Sequence, residues 1–356
     1  MIKIQEHLNR GDAETYLDSL ANSHWDSLNP KLKTNKGYKQ NSLIEKCKKY
    51  KSQTRNKSYR LTYADNDLNK AQRQRDFFTF LLASNAAQLK RVITSRPSQY
   101  ASIKADIYNI LQQTDLFVGT PGNYSQTAFG SLLSEVIFNY TVFRGSDYCK
   151  DLFTKISMNV VCCPYCNDNS LKIVKIKSNS SIVTKTKAYL DLDHFYSKSI
   201  HPYFALSFFN LIPTCHDCNS GDKGDKPFTI ETHIHPYYET FDDFYRFRVS
   251  LTALLGNPVD EITIEKLPLK PLDVTLNNLN LQARYNVYLN EVGNLVKYFN
   301  DYKGYIGTAN EPFFIDAFFK LKGVPKFRRD ILKSQRGKMN RDILKQIDIA
   351  NVLQLA

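Results

Sequence analysis

Between about residues 70 and 155, apolar positions recur at intervals of three and four. The stretches "QRDFFTFLLASNAAQLKRVI" and "YASIKADIYNILQQ" follow this spacing, which gathers the apolar side chains on one helical face. "SQTAFGSLLSEVIFNYTVFRGSDYCKDLF" continues the pattern, with Ser125 or Thr127 placed to cap its start. "VGTPGNYS", lying between helical stretches, is rich in turn residues and reads as a loop. The pattern then changes to alternation. "NSLKIVKIKSNSSIVTKTKAYLDLDHF" predicts two strands around a Ser/Asn turn. "HIHPYYETFDDFYRFRVSLTALLG" is strand-like and aromatic, and "DEITIEKL" adds a further strand. Residues 272–300 and the last fifty residues return to helical spacing. The expectation is an α+β chain in three parts. Residues 1–155 are helical and basic, 156–250 form a strand-bearing module, and 251–356 are mainly helical and basic.

The 356 residues carry a net charge of +13, which favours a polyanionic partner, nucleic acid ahead of a membrane surface. No apolar run is long enough to span a bilayer. The opening "MIKIQEHLNRGDAETYL" lacks the apolar stretch of a signal peptide, so a cytoplasmic protein is expected. Between residues 31 and 60, lysines and arginines face a single acid, Glu45, with Tyr38, Tyr50 and Tyr59 interleaved. That stretch reads either as a phosphate-contacting arm, Lys46, Lys48 and Lys49 among its charges, or as a solvated basic surface.

The seven cysteines are odd in number, and five of them fall in two clusters, which argues for metal rather than disulfides. Cys163-Pro-Tyr-Cys166 and Cys215-His-Asp-Cys218 are two CxxC knuckles, and four thiolates suit tetrahedral Zn²⁺. Such an ion has no open position and is structural. Cys162 is the spare of its cluster, Cys149 packs as a small apolar residue, and His216 faces solvent.

Between the knuckles lies "YLDLDHFYSKS", where Asp193 and His194 end an alternating segment, and Asn219 directly follows Cys218. Consecutive helical residues point about 100° apart. Cys218 can therefore face the zinc while Asn219 faces a cleft opposite Asp193 and His194. The set fits metal-assisted phosphodiester hydrolysis. Asp193 and Asn219 offer oxygens to Mg²⁺ or Mn²⁺, and neutral His194 takes a proton from the attacking water. Lys198, Lys223 and Lys226 lie close in sequence and read either as phosphate contacts or as solvated loop lysines. His201 reads as a surface or packing residue, and His233 and His235 as outward residues of a strand.

Together "CPYC", "LDLDHFYSKS", "FFNLIPTCHDCN" and "GDKGDKPF" resemble the HNH endonuclease family with its ββα-metal fold, over about residues 160–230. The resemblance implies His194 as general base, Asp193 as a metal ligand, Asn210 as the residue that orients the loop and the base, and Asn219 as the last ligand. The chain then reads as an H-N-N variant. More loosely, over roughly 155–300, it is similar to the HNH subunits of Septu-type and retron-associated anti-phage defence systems, which implies an ATPase partner. DNA is the favoured substrate and RNA the second. The alternatives are a stand-alone restriction or homing-type endonuclease and a zinc-dependent nucleic-acid-binding module without catalysis.

Overall fold

The helical spacing of residues 68–94 becomes the Leu68–Thr94 helix, capped by the Asp67 carboxylate on the Asn69 and Lys70 amides. It breaks at Ala83–Ala86, yet Phe77, Phe78 and Leu81 before the break and Leu89, Val92 and Ile93 after it are all buried. The computed structural model describes residues 3–33, 36–120, 122–177 and 183–355. Thr127 is the cap expected near the next helical stretch, its hydroxyl accepting from the Gly130 amide. Cys149 is buried in the Asp147–Lys155 helix.

"VGTPGNYS" is not an open loop. It folds as an antiparallel hairpin of β1 (Phe117–Thr120) and β2 (Asn123–Gln126). Gly122 lies in the turn that joins them. Gly119, at φ 108°, approaches the partner strand so closely that a Cβ would lie 2.2 Å from the Asn123 carbonyl oxygen.

Next come β3 (Val160–Cys162), β4 (Ser170–Lys177) and β5 (Val183–Tyr189), a three-stranded antiparallel sheet. The Ser/Asn turn between β4 and β5 falls outside the described residues. β6 (Asp191–His194) pairs with β7 (Leu211–Thr214), with Asp193 opposite Ile212 and His194 opposite Leu211. A π-helical segment, Asp217–Lys223, follows β7 after Cys215 and His216. β8 (Tyr245–Arg248) pairs with β9 (Thr263–Lys266), the strand expected from "DEITIEKL".

The rest of "HIHPYYETFDDFYRFRVSLTALLG" corrects the expectation of a long strand. Residues 233–240 form no strand, with a turn at 236–238, and short helices run Phe241–Phe244 and Leu251–Leu254. His233 and His235 point inward, 2% and 0% exposed. His233 stacks on Phe228 with ring centroids 3.7 Å apart and meets the Asn278 amide at 2.9 Å.

One buried apolar cluster draws on all three parts of the chain, from Ile4 to Ile343. A smaller one lies in the last part, around Phe299, Phe314 and Phe318. Much of the basic C-terminal charge is used internally. Lys338 is fully buried between Asp242 and Asp342. In the 31–60 stretch, Leu43, Ile44, Cys47 and Tyr59 turn inward, while Lys48 and Lys49 are exposed; residues 34 and 35 lie outside the described set. Among the described residues no helix is long and apolar enough to cross a membrane.

Candidate functional site

The two knuckles meet. Cys163 and Cys166 lie in the turn after β3, Cys215 follows β7, and Cys218 lies in the π-helical segment. All four are buried, and their sulfurs lie within 4.8 Å of one another, close enough to bind one metal ion such as zinc. The surroundings fit a thiolate-bound ion. The Asp168 amide lies 3.4 Å from the Cys166 Sγ, and the Cys215 amide 3.4 Å from the Cys163 Sγ. The Arg284 guanidinium lies 3.2 Å from the Cys218 Sγ and pairs with Asp222 at 2.8 Å. These donors offset thiolate charge that one dication leaves unbalanced. His216 is exposed, as expected, and its Nδ1 lies 3.1 Å from an Asp191 oxygen.

The C-terminal part clamps the first knuckle. Asn167 donates to the carbonyls of Ile331 and Ser334 at 2.9 and 3.1 Å and accepts from the Lys338 amide at 2.9 Å. Arg336 pairs with Asp168 at 2.7 Å.

Both knuckles also reach one carboxylate. Tyr165, inside the first knuckle, donates its hydroxyl to Asp193 Oδ2 at 2.7 Å. Burial, chiefly, holds its phenol far above the usual range, so it remains a donor. Lys223, at the end of the π-helical segment, places Nζ 2.7 Å from Asp193 Oδ1 and 2.7 Å from the His194 carbonyl oxygen. The Asp193 and Lys223 side chains are 3% and 2% exposed. Two expectations are corrected here. Lys223 does not stand free for a phosphate, because it is spent on Asp193. Asp193 is not an uncommitted carboxylate, because each of its oxygens already accepts a hydrogen bond and the side chain is 3% exposed.

His194 lies at the end of β6 with Nε2 3.0 Å from the Ala205 carbonyl oxygen. A nitrogen facing a carbonyl carries the hydrogen, so in the neutral ring the lone pair is on Nδ1. Burial first, then the Lys198 charge, push its pKa down to about 3, against the opposing Ala205 hydrogen bond. The Tyr140 ring packs edge-on against it, centroids 4.5 Å apart.

Asn210 is fully buried and ties the loop that carries Ala205. Its Oδ1 accepts from the Tyr196 amide at 2.7 Å, and its Nδ2 donates to the Tyr196 and Phe204 carbonyls at 3.0 and 3.1 Å. Asn210→Ala is expected to cost about 3 kcal/mol, since it leaves buried main-chain groups unpaired. Urea unfolding checks this; a midpoint equal to wild type would show that the loop holds itself.

His194, Lys198, Asn219, Lys223, Tyr140 and Asp225 line an open cleft of about 240 Å³. Lys198 is exposed, its Nζ 5.2 Å from the Tyr140 ring centroid. Lys226 is instead tied to the carbonyls of Asp222 and Asn278 at 2.6 and 2.9 Å. Asn219 faces the cleft, but its amide nitrogen lies 3.2 Å from an Asp191 oxygen. Among the described residues no donor faces the Asn219 Oδ1, whereas both Asp193 oxygens are engaged, so the two side chains as arranged do not offer a pair of uncommitted oxygens to Mg²⁺ or Mn²⁺. The sequence reading missed Tyr165, Asp191 and Asp225. Of these only Tyr165, lying within CxxC, carried a local signal.

No family model matches the chain, and no solved structure matches it. It is similar to protein ea31 of Escherichia phage lambda, 35% identical over 86 residues, 24% of this chain and 23% of that protein. The chain thus spans less than a quarter of the length of the curated relative it matches.

Proposed function

We propose that this chain is an HNH-type endonuclease that hydrolyses phosphodiester bonds in nucleic acid, DNA ahead of RNA, with His194 as the base. The observation that carries this reading is the state of His194. Its Nε2 is engaged by a main-chain carbonyl, which leaves Nδ1 as the lone-pair nitrogen, and its ring borders a cleft. A neutral imidazole with a free Nδ1 lone pair accepts the proton of an attacking water. Lys198, exposed at the rim, holds a phosphate oxygen. Asn210 positions rather than reacts, fixing the loop against which His194 leans. Zn²⁺ at the four cysteines supplies structure alone.

Mg²⁺ or Mn²⁺ is the catalytic cofactor implied by the family resemblance, and it would neutralise charge on the scissile phosphate. No step is assigned to it, because Asp193 is already engaged. The same resemblance supports a cytoplasmic effector of an anti-phage defence system working with an ATPase subunit, Septu-type or retron-associated. A non-catalytic nucleic-acid-binding module is the second reading, favoured by the closed Asp193 pair.

Plasmid DNA and total tRNA, incubated with the zinc-loaded chain and Mg²⁺ or Mn²⁺, test the proposal. Loss of intact polymer is expected, with the plasmid cut first. If both polymers survive even with the ATPase partner added, the binding-module reading stands.

A further inference from the structure

We propose that Lys223 is the resident cation of the cleft. Its ammonium takes the place beside Asp193 that the family resemblance assigns to a divalent ion, and such an ion gains Asp193 only when Lys223 leaves. The meaning of the cleft rests on the nuclease reading; the ion pair does not.

The ammonium has the contacts a hard cation would take in that corner, 2.7 Å from Asp193 Oδ1 and 2.7 Å from the His194 carbonyl oxygen. Its Nζ also lies 5.1 Å from the centroid of the Phe228 ring, whose face favours positive charge. The other carboxylate oxygen is closed by the Tyr165 hydroxyl at 2.7 Å. The carboxylate is thus balanced within the protein, charge for charge. A second cation arriving there meets like charge at contact distance and a carboxylate whose two oxygens are each already hydrogen-bonded.

Lys223 is not a surface lysine that has folded back. It is 2% exposed, and it ends a π-helical segment, a rare form that recurs at functional sites. Gly224 follows in the left-handed region at φ 49°, a turn that favours glycine. The backbone is therefore shaped to deliver this side chain inward. The segment begins two residues after Cys215 and contains Cys218, so the staple that orders the two knuckles also delivers the ammonium to Asp193.

The test is a titration of the full-length, zinc-loaded chain, labelled at its histidines, with MnCl₂. Paramagnetic broadening of the His194 ring signals reports an ion beside Asp193. In wild type, His194 is expected to broaden no earlier than the other histidines. In Lys223→Met, which keeps the packing on Phe228, it should broaden first, with Mn²⁺ bound about 10–100-fold more tightly. That gain should vanish when Asp193→Asn is added. Selective broadening of His194 in wild type, removed by Asp193→Asn, would overturn the proposal. So would a folded Lys223→Met chain that binds Mn²⁺ no better than wild type. Zinc content checks folding, and if Lys223→Met loses its zinc the wild-type and Asp193→Asn titrations still decide. Cleavage is not read here, so failure of the nuclease reading would leave this result standing.

Discussion

Cys215→Ser is expected to lose the zinc and, with it, the cooperative fold of the knuckle region. A structural zinc contributes an apparent 10–16 kcal/mol, roughly. A whole protein of this kind is stable by only about 5–15 kcal/mol. The four sulfurs come from two stretches separated by the β4–β5 hairpin and β6–β7, and no disulfide links them. Without the ion, four buried sulfurs have only weak mutual contacts, and Tyr165 and Lys223 are no longer steered onto Asp193. Metal analysis and a thermal melt check this. Wild type should hold one zinc per chain and melt cooperatively, and Cys215→Ser should do neither. Cys162→Ser is the control, because Cys162 is buried outside the four-sulfur cluster and its loss should leave the ion in place. A folded wild type free of zinc would contradict the assignment.

Mild acid is expected to unfold the protein. Burial chiefly pushes His24 down to about 4 and His201, His233 and His235 down to about 3. His24 is fully buried, with Nε2 on the Leu206 carbonyl at 2.9 Å. The folded pKa of each lies below the unfolded value near 6.5. Above that value neither state takes up the protons and stability is full. Below it the unfolded chain binds them first, so stability falls as pH drops from about 6.5 towards the folded values. Each histidine then contributes a slope of about 1.4 kcal/mol per pH unit, and the four together remove about 8 kcal/mol by pH 5. That approaches the whole stability of an ordinary fold. Urea midpoints measured from pH 7.5 to 5 should drop steeply. Protonation of the zinc thiolates acts in the same direction, so His24→Gln separates the two, losing the slope of one ring, about 1.4 kcal/mol per pH unit. Midpoints unchanged down to pH 5 would show that these rings titrate normally.

What could be read in the sequence was what chemistry writes locally. Two CxxC turns announce a shared ion because both sulfurs of each pair must reach it within four residues. The four sulfurs do converge. The alternation that ends at Asp193-His194 is a strand, and Asn210 sits where its side chain can tie the following loop. What could not be read was pairing at a distance. Asp193 meets Tyr165 across 28 positions and Lys223 across 30, so a ligand with open oxygens and one enclosed by two partners look the same in sequence. The sequence places His233 and His235 outward because a polar residue in an alternating stretch suggests a wet face, whereas both are buried. A stacked Phe228 and an Asn278 amide give His233 its buried place. "VGTPGNYS" hid a hairpin because turn residues dominate so short a pair of strands.

The most direct measurement compares wild type with His194→Ala on plasmid DNA and tRNA, both proteins shown to hold equal zinc and to melt alike. General-base loss should slow cleavage by about 10²–10⁴-fold, leaving binding of the polymer and its salt dependence unchanged. Equal cleavage by the two proteins would contradict His194 as the base and, with it, the assignment of this cleft as the hydrolytic centre.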